Sequence, residues 1–214
     1  MIGLKMMKKS SLELIENYLE KLYSNPKCEL DYNKDYELLI AVVLSAQTTD
    51  SRVNTVTPVL FNKYPTLKAL KEADIEDIKN IIRSIGTFNK KASMVIEIAK
   101  ILDEKYDGKV PSNKEELMTM PGVGEKVANV ILSEWFKLPA IAVDTHVNRV
   151  SKRLNLAKET DSVKDVQTKL EKKFSIDNWG KRHLQLVLFG RYKCKSIKPR
   201  CSDCKLKDIC KEKK

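Results

Sequence analysis

The chain has 214 residues, 42% of them hydrophobic, which is enough for a substantial core without help from disulfides. Forty Lys and Arg against 29 Asp and Glu leave a formal charge of +11, which points to polyanionic partners and also fits a basic housekeeping protein. The longest apolar run, residues 38–44, falls far short of the roughly 20 residues that span a bilayer, so a membrane-spanning role is excluded. "MIGLKMMKKSS" has no charged-then-apolar leader, and the expected setting is cytoplasmic, at the nucleoid when bound to DNA.

Helical spacing recurs through nearly every segment, and no alternating run argues for a strand; the expected class is all-α. Ser10 or Ser11 caps a first helix with Leu12, Ile15, Tyr18, Leu19 and Leu22 on one face. A second starts at Asp35 or Tyr36 and is apolar all round through Leu44. A third runs from Asp50, with a kink expected at Pro58. Thr66 and Asp74 cap two more, the latter turning Ile75, Ile78, Ile81, Ile82 and Ile85 inward before Gly86. Asn89 is the expected cap of a helix carrying Ala92, Val95, Ile96, Ala99 and Leu102 to Gly108. Ser112 or Asn113 opens the short "KEELMTM" helix, and Asp144 stands where an N-cap belongs before "THVNRVSKRL". Two further helices are expected near 162–174 and 180–190.

The stretch "MPGVGEKVANVIL", residues 120–132, reads as a glycine hairpin feeding a helix. Gly122 and Gly124 admit backbone angles and close approaches that a Cβ forbids, and the helix start offers free N–H groups and partial positive charge to a phosphate. Taken alone, the same residues also fit an ordinary helix–helix connection with a solvated Lys126.

Five cysteines in an intracellular chain argue against structural disulfides, and four of them lie in the last 21 residues. Cys194, Cys201, Cys204 and Cys210 have the spacing C-x6-C-x2-C-x5-C, which zinc and iron–sulfur clusters both accept; one CxxC flanked by single cysteines leans toward [4Fe–4S]. The first interval, "KSIKPR", brings Lys195, Lys198 and Arg200 together, which reads as a phosphate contact or, alternatively, as a solvated tail around a structural metal. Cys28 stands apart, as a buried apolar filler.

In order along the chain, "LLIAVVLSAQTTD", "MPGVGEKVANVIL", "IAVDTHVNRV" and the "GRYKC" that opens the cysteine cluster resemble the endonuclease III family of DNA glycosylases. The resemblance implies two helical domains. One is a six-helix block over 28–138 whose helix-hairpin-helix occupies about 113–136. The other is built from 1–27 and 139–214 and carries a [4Fe–4S] cluster, with DNA lying across the groove between the two. It implies a bifunctional enzyme that excises oxidised pyrimidines from duplex DNA after rotating the nucleotide out of the stack, then nicks the abasic site through a lysine Schiff base. Lys126 falls on the catalytic lysine and Asp144 on the aspartate that stabilises oxocarbenium-like charge. Gln47 falls on the residue that fills the vacated space, with a buried polar cap as its alternative. Gly122, Val123 and Gly124 fall on the DNA-facing surface, and His146 either lines the pocket there or satisfies the helix start. This chain departs from the family at Thr87, where a bulky aliphatic wedge is usual; Phe88 or Gln47 would then carry that role. The protein is expected to act as a monomer. The rival readings are a monofunctional glycosylase of the same superfamily, which usually lacks a lysine at this position, and a non-catalytic, metal-stapled DNA-binding module.

Overall fold

A computed structural model of the chain describes residues 10–212, and every regular element among them is helical. The helices fall into two compact units, one formed by Cys28–Ala140 and the other by the described residues up to Lys27 together with those from Ile141 onward.

The continuous unit is organised around α2, Asp35–Leu44, in which every residue from Tyr36 to Leu44 is buried. A helix apolar all round has no solvent face to offer, and it becomes a central post against which α3 (Asp50–Lys63), α6 (Phe88–Lys105) and α8 (Glu125–Glu134) pack. The short helices α4 (Leu67–Lys71) and α5 (Ile75–Ile81) pack on α6 and start at Thr66 and Asp74, whose side chains accept from Ala69 N–H and Glu76 N–H. Asn113 does the same for α7, Lys114–Leu117, which packs on α8. α6 ends where Gly108, at φ +75°, donates its N–H back to Leu102 O at 2.9 Å, a left-handed helix stop.

Two expectations are corrected here. α6 begins one residue after Thr87, not at Asn89: Thr87 sits in the left-handed region and turns the chain, and burying Phe88 and Ala92 then fixes where the helix starts. Pro58, where the kink is expected, lies inside α3. α5 stops at Ile81, and Ile82 and Ile85 reach the core from the following turn.

In the discontinuous unit, α1 (Ser11–Leu22) packs on α11 (Trp179–Leu188), with Ser10 as its cap and Ile15, Tyr18 and Leu19 buried. Leu22, expected on the same face, is exposed at the helix end. α9 (Thr145–Arg153) packs on α11, on α10 (Val163–Lys173) and on a single π-helical turn, Phe189–Lys193, that continues α11.

Candidate active site and nucleic-acid interface

The α7–α8 hairpin is pinned from inside. Met120 and Val123 are buried in the core, and Val123 N–H donates to Met120 O at 3.2 Å. Gly122 has φ +79°, and a Cβ there would lie 2.9 Å from Val43 Cγ1 and 3.0 Å from Met94 Sδ, so both its conformation and its surroundings require glycine. Gly124 differs from expectation. Its φ of −97° is open to any residue, and a Cβ would meet nothing within 4 Å. The space beside it is free for something outside the chain. Gly124 is the N-cap of α8 and provides no side chain to cap the first-turn N–H groups. Lys126, in that first turn, is exposed and has no hydrogen-bond or ion-pair partner among the described residues; the carboxylate of neighbouring Glu125 is taken by Lys114 at 2.8 Å.

Beyond the end of α2, Gln47 is exposed with φ +56°, which removes the reading of it as a buried polar cap. Thr87 is exposed with φ +58°, its Oγ1 donating to Gly86 O. Phe88 packs partly buried against the core, which ties it down and leaves Gln47 and Thr87 as the free tips. Between them lies a residue the sequence reading missed. Lys91 is only 4% exposed, and its Nζ donates to Leu44 O (2.9 Å), Ala46 O (2.7 Å) and Thr48 Oγ1 (3.2 Å). Burial pushes its pKa down, and no carboxylate opposes that. The signal was available: Lys91 occupies the same inward stripe as Val95, Ile98 and Leu102.

In the other unit, the buried segment Ile141, Ala142, Val143 delivers Asp144 to the start of α9, where its Oδ1 accepts from Val147 N–H at 2.7 Å. His146, half-buried, has Nδ1 3.3 Å from Arg149 Nη2. Arg149 also donates to Gly190 O (2.7 Å) and Cys194 O (3.0 Å), and burial pushes its pKa down. The packing of α9 on the π-helical turn is tight enough that a Cβ at Gly190 would fall 2.8 Å from His146 Cβ.

Cys194, Cys201, Cys204 and Cys210 are unpaired and half-buried, and Cys194, Cys204 and Cys210 pack against the core of their unit. Burial pushes the Cys204 and Cys210 thiols up, and both feel the charge of the other cysteines of the set. Among the described residues no group of three or more His, Cys, Asp and Glu is arranged to hold a metal ion. The loop is tied to α9 by Arg153, which donates to Cys194 Sγ at 3.5 Å and to Lys195 O at 2.7 Å. Lys195, Lys198 and Arg200 are exposed, and Lys198 has φ +50°. Among the described residues no helix is long and apolar enough to cross a membrane.

Residues 40–175 match the HhH-GPD superfamily of base excision DNA repair proteins. The chain is 43% identical over 205 residues to endonuclease III of Bacillus subtilis, covering 94% of both sequences. It belongs to the endonuclease III family. Endonuclease III of Escherichia coli K12 is 41% identical over 212 residues, covering 97% of this chain and 98% of that one. A solved structure of a trapped endonuclease III–DNA covalent intermediate superposes with a TM-score of 0.91 at 42% identity, over 96% of this chain and 98% of that one. As a member of the endonuclease III family, this chain is a DNA glycosylase with abasic-site lyase activity, acting in base excision repair.

Proposed function

We propose that the chain acts, as a monomer, on oxidised pyrimidines in duplex DNA, with Lys126 as the nucleophile and Asp144 as the electrostatic partner. The observation that carries this reading is an exposed, unpartnered lysine in the first turn of a helix whose approach is braced by Gly122 and whose N-cap, Gly124, leaves open space beside it. Deprotonated Nζ attacks C1′ of the extruded nucleotide. The new C–N bond forms as the N-glycosidic bond breaks, and the departing base takes the electron pair and then a proton. Ring opening moves a proton from Nζ to the sugar ring oxygen and leaves an imine. Loss of a C2′ proton expels the 3′ phosphate by β-elimination, and water hydrolyses the imine to free Lys126. Asp144 spends Oδ1 on Val147 N–H, and its remaining oxygen has no hydrogen bond among the described residues, which leaves negative charge for the cationic sugar of the transition state.

The donor set of the C-terminal loop suits a [4Fe–4S] cluster: four thiols and no imidazole, with the carboxylate of Asp203 taken by Lys193. A single zinc ion would need its sulfurs drawn to about 2.3 Å from one point, whereas the irons of a cluster reach separate thiolates. Bound there, the cluster would supply a structural staple. Lys195, Lys198 and Arg200, held on that loop, would contact DNA phosphates, as would the N–H groups of Gly122 and Gly124, Val123 N–H being spent on Met120 O. His146 would stand near the substrate beside Asp144.

The deciding experiment is borohydride reduction of complexes with duplexes that each carry one oxidised pyrimidine or an abasic site. A covalent band with the unmodified protein and none with Lys126→Ala is the expected result. The absence of a band with the unmodified protein on every duplex would favour a monofunctional enzyme in which water attacks, and an undiminished band in Lys126→Ala would mean another residue is the nucleophile.

A further inference from the structure

Lys91 has no place in the chemistry above, yet its ammonium is buried with no carboxylate beside it. An ammonium removed from water without a counter-charge is expensive, and a methionine of similar length would fill the same space without that penalty. What a methionine cannot do is donate three hydrogen bonds. All three of Lys91's go to one short segment: the last residue of α2, through Leu44 O, and the two residues flanking Gln47, through Ala46 O and Thr48 Oγ1. The carbonyls at a helix C-terminus lack intrahelical partners and carry partial negative charge, so a cation fits there. Gln47 itself is held in the left-handed region, a strained conformation for a residue with a Cβ that persists only where the surroundings impose it. Lys91 also belongs to the first turn after the second left-handed tip, its own N–H donating to Thr87 O at 3.1 Å.

We infer that Lys91 is a positioning residue for nucleotide extrusion: its Nζ holds the backbone on both sides of Gln47 while its main chain anchors Thr87, so that the two exposed tips meet DNA as one preset pair. This rests on the assignment of Gln47 to the space left by the extruded nucleotide. Preset geometry matters because a misplacement of about 1 Å can cost on the order of 10²-fold in rate. Extrusion is also the step whose cost differs between paired and unpaired substrates, whereas attack on C1′ is common to both.

The test compares excision of one oxidised pyrimidine in a fully paired duplex and in single-stranded DNA. Lys91→Met should slow excision from the paired duplex by about 10-fold or more while changing the single-stranded rate by less than about 3-fold, with borohydride trapping on a preformed abasic site retained. Lys91→Arg, which keeps charge and donors, should recover most of the loss. In a Gln47→Ala background, Lys91→Met should add little, because it acts through a side chain already removed. A merely structural lysine would lower both rates together and add its full effect in that background. Equal losses on both substrates for Lys91→Met, with Gln47→Ala selective for the paired one, would overturn the role of Lys91 alone; equal losses for Gln47→Ala would overturn the gap-filling assignment beneath it. If Lys91→Met does not fold, Thr48→Val removes one of the three acceptors, and an unchanged paired-to-single-stranded ratio in that variant refutes the inference.

Discussion

Gly122→Ala and Gly124→Ala, two residues apart in one hairpin, should have opposite consequences. At Gly122 the alanine must adopt φ +79°, which costs a residue with a Cβ about 1–2 kcal/mol. Its Cβ would also sit 2.9 Å from Val43 Cγ1 and 3.0 Å from Met94 Sδ. Met94 is flexible and can yield, but Val43 lies on the buried central helix and cannot move without shifting α2, so overpacking adds about 1–3 kcal/mol. The lost freedom of the unfolded chain returns about 0.4–1 kcal/mol. The net destabilisation is about 1–5 kcal/mol, a fall of roughly 2–20 °C in Tm.

At Gly124 the backbone is already in a region open to alanine and the Cβ meets nothing. The poorer N-cap and the reduced freedom of the unfolded chain nearly cancel, leaving stability within about 0.5 kcal/mol. The new methyl group instead projects into the space assigned to a DNA backbone, and affinity for an abasic duplex should fall. Denaturant unfolding and duplex binding, measured on both variants, separate the two effects. A Gly122→Ala protein as stable as the parent would refute the steric argument. A Gly124→Ala protein with unchanged affinity would show that nothing approaches the hairpin there.

Asp144→Asn keeps an N-cap of equal quality for Val147 N–H and removes the charge, so folding and DNA binding should persist while base release slows by about 10²-fold or more; retained activity would remove Asp144 from the chemistry. Protein purified without air should hold about four irons per chain, and Cys→Ser at any of the four positions should lower that content; stoichiometric zinc without iron would contradict the cluster assignment. Replacing Lys195, Lys198 and Arg200 together by Ala should reduce the slope of log affinity against log salt by about 2–3, and an unchanged slope would clear the loop of phosphate contact. The hydrogen bond to Asp77 raises the Tyr64 phenol from 10.0 to about 12. Between those pH values the unfolded chain has lost a proton that the folded one keeps, so stability falls as pH rises through that window, and Tyr64→Phe should flatten the denaturant midpoint over that range.

The helix caps were legible because they are local: Ser10, Thr66, Asp74, Asn113 and Asp144 each place a short polar side chain one residue before an apolar stripe, and each accepts an N–H of the first turn. Lys91 was hidden because lysine is almost never buried without a partner, and only its register with Val95, Ile98 and Leu102 contradicted that prior. The left-handed residues were hidden for a different reason, since tertiary contacts impose them on side chains that do not favour them. Among the described residues six non-glycine positions have positive φ. Three are accounted for by helix endings: Asp107 leads into the Gly108 bond to Leu102 O, Lys137 precedes the bond from Leu138 N–H to Leu132 O, and Asn155 precedes the bond from Leu156 N–H to Ser151 O. The other three, Gln47, Thr87 and Lys198, close no helix in this way and are all exposed. Each costs conformational energy, and each falls in a loop assigned to DNA contact. Strain of that kind is retained where a side chain must be aimed outward before its partner arrives, so the backbone angles of these three residues argue for the DNA-facing surface independently of the motifs that first suggested it.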